Sequence, residues 1–215
     1  MEPIPSAWPP EPLGERAVVP LFPLPRLWLF PHVVLPLHIF ERRYVQMIED
    51  CLDGPGRIVI GTVPPGYDEQ LAGSPPVQPI AGLGEIGRHE KLPDGRYDIW
   101  LYGQTRAHIR EVDSDRLYRK VEVEPIDESE PDGPETEALR EEVTEAIRAR
   151  VEKVKDVPAQ VPLSALADFL TLRMPLPPEV TQGLYSQLDP VARAKAALLE
   201  HNQRPITGSD SGSDE

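Results

Sequence analysis

The chain has 215 residues, enough to bury the core of one domain, or of one domain with a small satellite. Its formal net charge of −14 disfavours binding to nucleic-acid phosphates, which requires clustered lysine and arginine. The chain has no run of about 18 apolar residues, no signal-peptide pattern and only one cysteine, which together predict a cytoplasmic protein without a membrane-spanning helix or an internal disulfide. Residues 1–16 are polar, rich in proline and without periodicity, which predicts a flexible arm.

Residues 17–126 have the composition of a module rich in β-strands. The module opens with an apolar stretch over residues 19–40 that proline interrupts at short intervals, so its backbone is confined to an extended path. Apolar side chains then recur at helical spacing, which predicts an amphipathic helix over residues 41–52 with Phe40 and Tyr44 on its buried stripe. The other members of that stripe are Met47, Ile48 and Cys51.

Several short strands are predicted after this helix. Residues 57–63 form an apolar run between glycine and proline signals, and residues 67–78 have the composition of a loop. Residues 92–96 have the chemistry of a hairpin turn, and residues 97–102 beyond it alternate between the two faces of a half-buried strand. Gly103 is expected to end that strand, and two further short strands follow. Strands at this spacing predict a closed or nearly closed barrel.

The carboxyl-terminal part of the chain is predicted to be helical. Residues 127–134 are strongly acidic and contain Gly133 between prolines, which is typical of a solvated linker. Apolar stripes at helical spacing, with an Asp189-Pro190 pair suited to a helix start, predict four short helices over residues 135–202. Short connections between these helices indicate a compact helical bundle. Residues 203–215 end in a low-complexity acidic run, which predicts a disordered tail.

The proline-rich opening of the β module carries a long and specific motif. It consists of V-P-L-F-P-L-P, then L-F-P, then L-P-L-H-I-F-E-R-R-Y, between Val19 and Tyr44. This pattern resembles the start of the amino-terminal, substrate-binding domain of Lon proteases. His32 is a departure, because the family usually has glycine after L-F-P. Similarity to later parts of that domain extends the resemblance to residues 17–202, nearly the whole chain.

The resemblance implies an α+β fold, namely a PUA-like β pseudo-barrel with one inserted helix, followed by a small carboxyl-terminal helical bundle. In that family the domain helps to select substrates for the attached protease. The sequence contains no phosphate-binding loop of the pattern G-x-x-x-x-G-K-[ST], and it has no room for ATPase or Ser-Lys protease domains. The resemblance therefore indicates a stand-alone polypeptide-binding or adaptor module that is not an enzyme.

No residue is assigned to catalysis, to a cofactor or to a metal. The five histidines do not have the spacing of zinc ligands, and His38, inside the apolar motif, is interpreted as a hydrogen-bonded structural imidazole. Cys51 is interpreted as a buried structural thiol. The serines lack the G-x-S-x-G context of a nucleophile. An enzyme with an unrecognised site remains the alternative of this class.

Trp100, Tyr102 and Arg106 are the candidate residues for polypeptide binding. The two aromatic side chains share a strand face that would serve as a platform for a peptide, although the helices after residue 134 could cover that face. Arg106 is placed to clamp an anion, but such an arginine more often ties down carbonyls or carboxylates of the fold. The expected partners are unfolded or extended polypeptides and a full-length Lon protease. An RNA-binding module is the second hypothesis, because PUA-like barrels also bind RNA, and the acidic charge disfavours it.

Overall fold

A computed structural model describes residues 17–71, 73–151, 154, 157–158 and 160–206. These residues form two compact units, of which the first ends at Ile126 and the second begins at Asp127. The predicted arm of residues 1–16 lies outside the described residues, as do residues 207–215 of the predicted tail. No helix within the described ranges is both long enough and apolar enough to span a membrane.

The first unit is built from six β-strands and one α-helix. The helix lies between the second and third strands in the chain, so the prediction of one inserted helix is confirmed. In chain order the elements are β1 (Ala17–Pro25), β2 (Val34–Ile39), α1 (Arg42–Leu52), β3 (Arg57–Val63), β4 (Ile80–Lys91), β5 (Tyr97–Val112) and β6 (Arg119–Pro125).

The six strands form one mixed sheet with the order β2-β5-β4-β3-β1-β6. β1 and β3 pair in parallel, whereas the other neighbours are antiparallel. The far half of β5 also pairs with β6, so this long strand takes part in both halves of a strongly curled sheet. β2 pairs with β5 only, and the sheet is a pseudo-barrel and not the closed barrel that the strand spacing also allowed. The predicted α+β class is confirmed.

One predicted boundary is wrong, because Gly103 does not end a strand and β5 continues through it to Val112. The N–H of Gly103 donates to the C=O of Val33, and the C=O of Gly103 accepts from the N–H of His32, each at 2.8 Å. A Cβ at Gly103 would overlap the carbonyl oxygen of Phe30, so glycine is needed here for close backbone approach. His32 has a φ of 63°, a left-handed value that favours the glycine of the resembled motif.

The first unit has two buried apolar clusters, one of them packed around α1. The predicted helical stripe is confirmed for Tyr44, Met47, Ile48 and Cys51, which are all buried. It is wrong for Phe40, which is 64% exposed because it precedes the helix and does not continue the stripe. The second cluster lies between the remaining strands and consists of Val19, Leu21, Val59, Ala81, Leu83, Ala107, Val121 and Val123.

The second unit contains the four predicted helices. They are α2 (Pro134–Arg150), α3 (Leu163–Leu172), α4 (Pro178–Tyr185) and α5 (Pro190–Gln203), the last ending one residue beyond the predicted bundle. The side chain of Asp189 accepts hydrogen bonds from the N–H groups of Val191 and Ala192, which confirms the predicted start of α5. The core of the unit is made of apolar residues from all four helices.

The acidic segment before α2 is not the solvated linker that its charge indicates. Glu128 forms an ion pair with Arg193 of α5, which has no exposed side-chain surface. Glu130 pairs with Arg140 of α2 and accepts a hydrogen bond from the N–H of Ser164 at 2.7 Å. The acidic groups are therefore used within the helical unit, where buried arginines neutralise them.

Candidate functional site

One face of the β2–β5 pair carries a row of exposed or half-buried side chains. In the antiparallel register Val34 lies opposite Tyr102, Pro36 opposite Trp100 and His38 opposite Asp98. Directly opposed residues of an antiparallel pair share one face, so these six side chains lie together. The intervening residues of both strands point into the core, as strand alternation requires. We call the surface formed by Val34, Pro36, His38, Asp98, Trp100 and Tyr102 the outer face.

The two aromatic side chains of the outer face are held in place by β4. The guanidinium carbon of Arg88 lies 4.7 Å from the centre of the Trp100 ring, in the geometry of a cation–π contact. The Tyr102 ring lies over Gly87, where a Cβ would overlap the ring atoms Cε2 and Cδ2. Trp100 and Tyr102 therefore form a preorganised aromatic surface on a strand, which suits recognition better than a mobile loop would.

His38 is fixed on the outer face by two charged neighbours. Its Nδ1 lies 2.6 Å from Oδ1 of Asp98, and its Nε2 lies 3.1 Å from Nη1 of Arg96. An arginine only donates, so Nε2 accepts and Nδ1 carries the proton that is donated to Asp98. Arg96 also binds Asp94, and these hydrogen bonds hold the pKa of the Asp94 carboxyl below its ordinary value. His38 is thus hydrogen-bonded as predicted, but it is 43% exposed and not enclosed by the apolar motif.

Phe40 extends the outer face beyond the end of β2. Its ring stacks on the ring of His38, with the centroids 6.1 Å apart. Sequence reasoning assigned Phe40 to the helical stripe and missed this position. The signal that would have found it is strand alternation, because Phe40 continues the two-residue period of Val34, Pro36 and His38.

Arg106, the third predicted site residue, does not lie on the outer face. Its side chain is 0% exposed, and its guanidinium carbon lies 5.4 Å from the centre of the Phe30 ring. Its backbone C=O accepts from the N–H of Ile126. The structure thus brings Trp100 and Tyr102 together and places Arg106 in the interior, where it has no surface to offer to a polypeptide.

The open edge of β2 has an interrupted set of hydrogen-bonding groups. Among the described strands β2 pairs with β5 alone. Because Gly103 binds the C=O of Val33, the odd-numbered residues of β2 face β5, and the peptide groups of Val34, Pro36 and His38 point to the open edge. Pro36 has no N–H, so the central donor of this edge is missing. An added strand would form an incomplete ladder, whereas the side chains of the outer face remain available.

Two cavities lie away from the outer face. One, of about 390 Å³, is lined by residues that include Asp50, Cys51 and Tyr118. The Tyr118 hydroxyl donates to Asp50 at 2.8 Å, and burial and the Asp50 charge raise the pKa of the Cys51 thiol to about 12. The thiol is therefore protonated at neutral pH and is not a nucleophile.

The second cavity, of about 620 Å³, lies between α2 and α5 and is lined by three glutamates and His201. The Nε of Arg150 donates to Nδ1 of His201 at 2.7 Å, and burial lowers the pKa of His201. Within the described part of the chain no group of His, Cys, Asp or Glu residues is arranged to hold a metal ion.

Comparison with known proteins gives one family and a consistent set of relatives. The model of a family described as the substrate-binding domain of ATP-dependent protease La (LON) matches residues 18–201. Lon protease 3 of Sorangium cellulosum is 27% identical over 172 residues, which cover 75% of this chain and 20% of that protein. The Lon protease of Flavobacterium johnsoniae is 26% identical over 178 residues, which cover 78% of this chain and 22% of that protein. The chain thus spans about a fifth of the length of these relatives.

Two solved structures have a similar fold. The N-terminal domain of Mycobacterium avium complex Lon protease superimposes with a TM-score of 0.68 at 18% identity, covering 88% of this chain and 100% of that one. A Lon N-terminal domain protein from Xanthomonas campestris gives a TM-score of 0.62 at 23% identity, covering 85% of this chain and 98% of that one. At these identities the likeness concerns the fold, and both matches span nearly all of the described residues.

Proposed function

The chain belongs to the family of substrate-binding domains of ATP-dependent protease La, the Lon protease, and from this premise we propose that it binds unfolded or extended polypeptides without chemistry of its own. The matched residues correspond to the substrate-binding domain alone. The proposal concerns recognition, and it leaves ATP hydrolysis and peptide-bond cleavage to other domains or proteins.

The observation that supports this function is the outer face together with Phe40. Large apolar side chains on a rigid strand, clustered at the surface, are typical of protein interaction sites. Trp100 and Tyr102 are only partly buried, and Phe40 is not used by the core at all. We propose these three residues as the contacts for a client polypeptide, with Arg106 supporting the fold from the interior.

The side chains of the outer face are better suited to hold a client than the open edge of β2 is. Addition of a strand to a sheet edge depends on main-chain hydrogen bonds, and Pro36 removes the central donor of this edge. A client laid across the face would instead bury its apolar side chains against Trp100, Tyr102 and Phe40.

We further propose that the module acts in the cytoplasm as an adaptor for a full-length Lon protease. A buried, protonated Cys51 suits the reducing conditions of that compartment. An adaptor of this kind would bind a client segment and bring it to a protease that carries its own ATPase and peptidase domains. Co-purification with a Lon protease would test this role separately from polypeptide binding.

RNA binding is the competing function, because exposed aromatic rings also stack on bases. The outer face carries the Asp98 carboxylate, and Glu90 of β4 lies opposite Asp98 in the register. A net charge of −14 and these carboxylates disfavour the phosphate backbone. We therefore rank polypeptide binding above RNA binding.

The test is a titration with one model protein in its unfolded and its folded form, followed by fluorescence anisotropy. We expect tighter binding of the unfolded form, with a Kd on the order of 1 μM and weak dependence on salt, since apolar burial drives it. Phe40→Ala and Trp100→Ala should each weaken binding at least tenfold, whereas Leu117→Ala should not. Leu117 is a matched control because it is 55% exposed on the same unit but lies outside the outer face.

Equal affinity for the folded and unfolded forms would overturn the proposal. Tight binding of single-stranded RNA that weakens steeply with salt would replace it with the RNA-binding function, because salt dependence of that kind reports counterion release.

A further inference from the structure

Arg88 is placed differently from most arginines of the first unit. It is exposed on β4, directly opposite Trp100 in the register, and its guanidinium lies over the indole ring. Among the described residues no carboxylate lies within ion-pair distance of it. By contrast, Arg96, Arg110 and Arg119 are each paired with a carboxylate, those of Asp94, Glu122 and Glu111.

The stacked arrangement leaves the guanidinium able to bind an anion. The flat side of the group faces the Trp100 ring, and its N–H bonds lie in the plane of the group and point away from the ring face. A carboxylate that approaches in this plane can accept two parallel hydrogen bonds. The ring also removes water from one side of the cation, which strengthens such a pair relative to a fully exposed one.

The charges of the outer face are distributed unevenly along it. Arg88 lies beside Trp100, whereas Glu90 and Asp98 lie opposite each other two residues further along β4 and β5. Asp98 already accepts the proton of His38. An acidic client group is therefore attracted at the Arg88 end of the face and repelled at the Glu90 end.

We propose that Arg88 makes the outer face selective for polypeptide segments that carry a carboxylate next to an apolar side chain. The apolar side chain rests on the aromatic surface of Trp100 and Tyr102, and the carboxylate binds the guanidinium of Arg88. This inference rests on the proposed function and names the class of client segment. One cation beside two carboxylates does not provide the clustered positive charge that a nucleic-acid backbone requires.

The experiment uses three peptides of equal length with the same central apolar residues, flanked by glutamate, glutamine or lysine. We expect the wild-type chain to bind the glutamate peptide roughly tenfold more tightly than the glutamine peptide, as one charge-assisted hydrogen-bonded pair provides. Arg88→Gln should abolish this preference and leave the affinity for the glutamine peptide within about twofold. Arg88→Lys should retain part of the preference, because it keeps the charge without the planar fork.

Arg110→Gln is the matched control, since it removes the same charge from the far half of β5. It should leave the preference intact. Thermal unfolding of each variant shows whether the fold is retained, and we expect unchanged midpoints because both arginines are exposed.

The outcomes separate this inference from the proposed function. If the three peptides bind equally, or if Arg88→Gln keeps the preference for glutamate, the inference is wrong and the polypeptide-binding function stands. If no peptide binds and an unfolded protein does not bind either, both fail together. Binding of single-stranded RNA that is tighter than binding of any peptide, and that is lost in Arg88→Gln, would reassign Arg88 to phosphate.

Discussion

The guanidinium of Arg193 and the carboxylate of Glu128 meet in a two-pronged contact, with Nη1 3.1 Å from Oε1 and Nη2 2.7 Å from Oε2. Arg193 is fully buried in the first half of α5, and its Nε lies 3.2 Å from Oδ1 of Asp168 on α3. Its Nη1 also donates to the C=O of Gln187. One side chain therefore joins the segment before α2, helix α3 and the start of α5.

Replacing Arg193 should destabilise the helical unit strongly. Arg193→Met leaves the carboxylates of Glu128 and Asp168 buried without their cation, and we expect a loss of about 3–5 kcal/mol in the free energy of unfolding. Denaturant unfolding followed by circular dichroism measures this loss. Lys195→Met removes a cation from the exposed face of the same helix, where it pairs with Glu135, and should leave the midpoint unchanged. Equal midpoints for both variants would contradict the prediction.

Tyr44 and Phe40 should respond in opposite ways to truncation. Tyr44 is buried with its ring centroid 4.3 Å from that of Phe22, so Tyr44→Ala should cost about 3–5 kcal/mol of stability. Phe40→Ala removes an exposed ring and should cost no more than about 0.5 kcal/mol, while it weakens polypeptide binding. Unfolding curves and binding titrations on the same two variants check this. A large stability loss in Phe40→Ala would place Phe40 in the core.

Two glycine-to-alanine changes should have opposite signs. Gly103→Ala places a methyl group against the carbonyl oxygen of Phe30 and should cost more than about 2 kcal/mol, because the neighbouring backbone must move. Gly183→Ala lies in α4 with no atom within 4 Å of its Cβ, and it should stabilise by about 0.5–1 kcal/mol through helix propensity. Thermal midpoints of the two variants give the answer, and a stable Gly103→Ala would mean that the loop before β2 adjusts freely.

Cys51 should be unreactive in the folded chain and should make stability fall at high pH. Burial and the Asp50 charge raise the pKa of its thiol from an ordinary value of 9.0 to about 12. A raised thiol pKa stabilises the fold below pH 9, and this contribution is lost as pH rises toward 12, by up to about 1.4 kcal/mol per pH unit. We expect a thiol reagent to modify the native chain far more slowly than the unfolded chain. A Cys51→Ala variant should show a shallower decline in stability above pH 9, and an identical decline would refute the assignment.

The elements that sequence reasoning placed correctly are those with local signals. The stripe of α1, the hairpin turn before Tyr97 and the Asp189 cap each depend on residues within one or two turns of chain. The errors concern partners that are distant in sequence. Gly103 looks like a strand end until Phe30 is seen against it. Glu128 looks solvated until Arg193, 65 residues away, is placed beside it.

The candidate site was predictable only in part for the same reason. Alternation along one strand places Trp100 and Tyr102 on one face, and the structure adds Phe40, His38 and Arg88 from other strands. Those additions depend on register between strands, which hydrophobic pattern alone does not specify for an edge strand such as β2.

The proline in the middle of β2 also bears on how such a module survives among its clients. A chain that binds unfolded polypeptides works at high local concentrations of aggregation-prone segments, and an open strand edge is a template on which such segments assemble into fibrils. Pro36 withholds the one donor that a growing cross-β ladder would need at the centre of this edge. Contact with a misfolded client therefore stays a reversible association of side chains and does not seed the growth of a shared sheet.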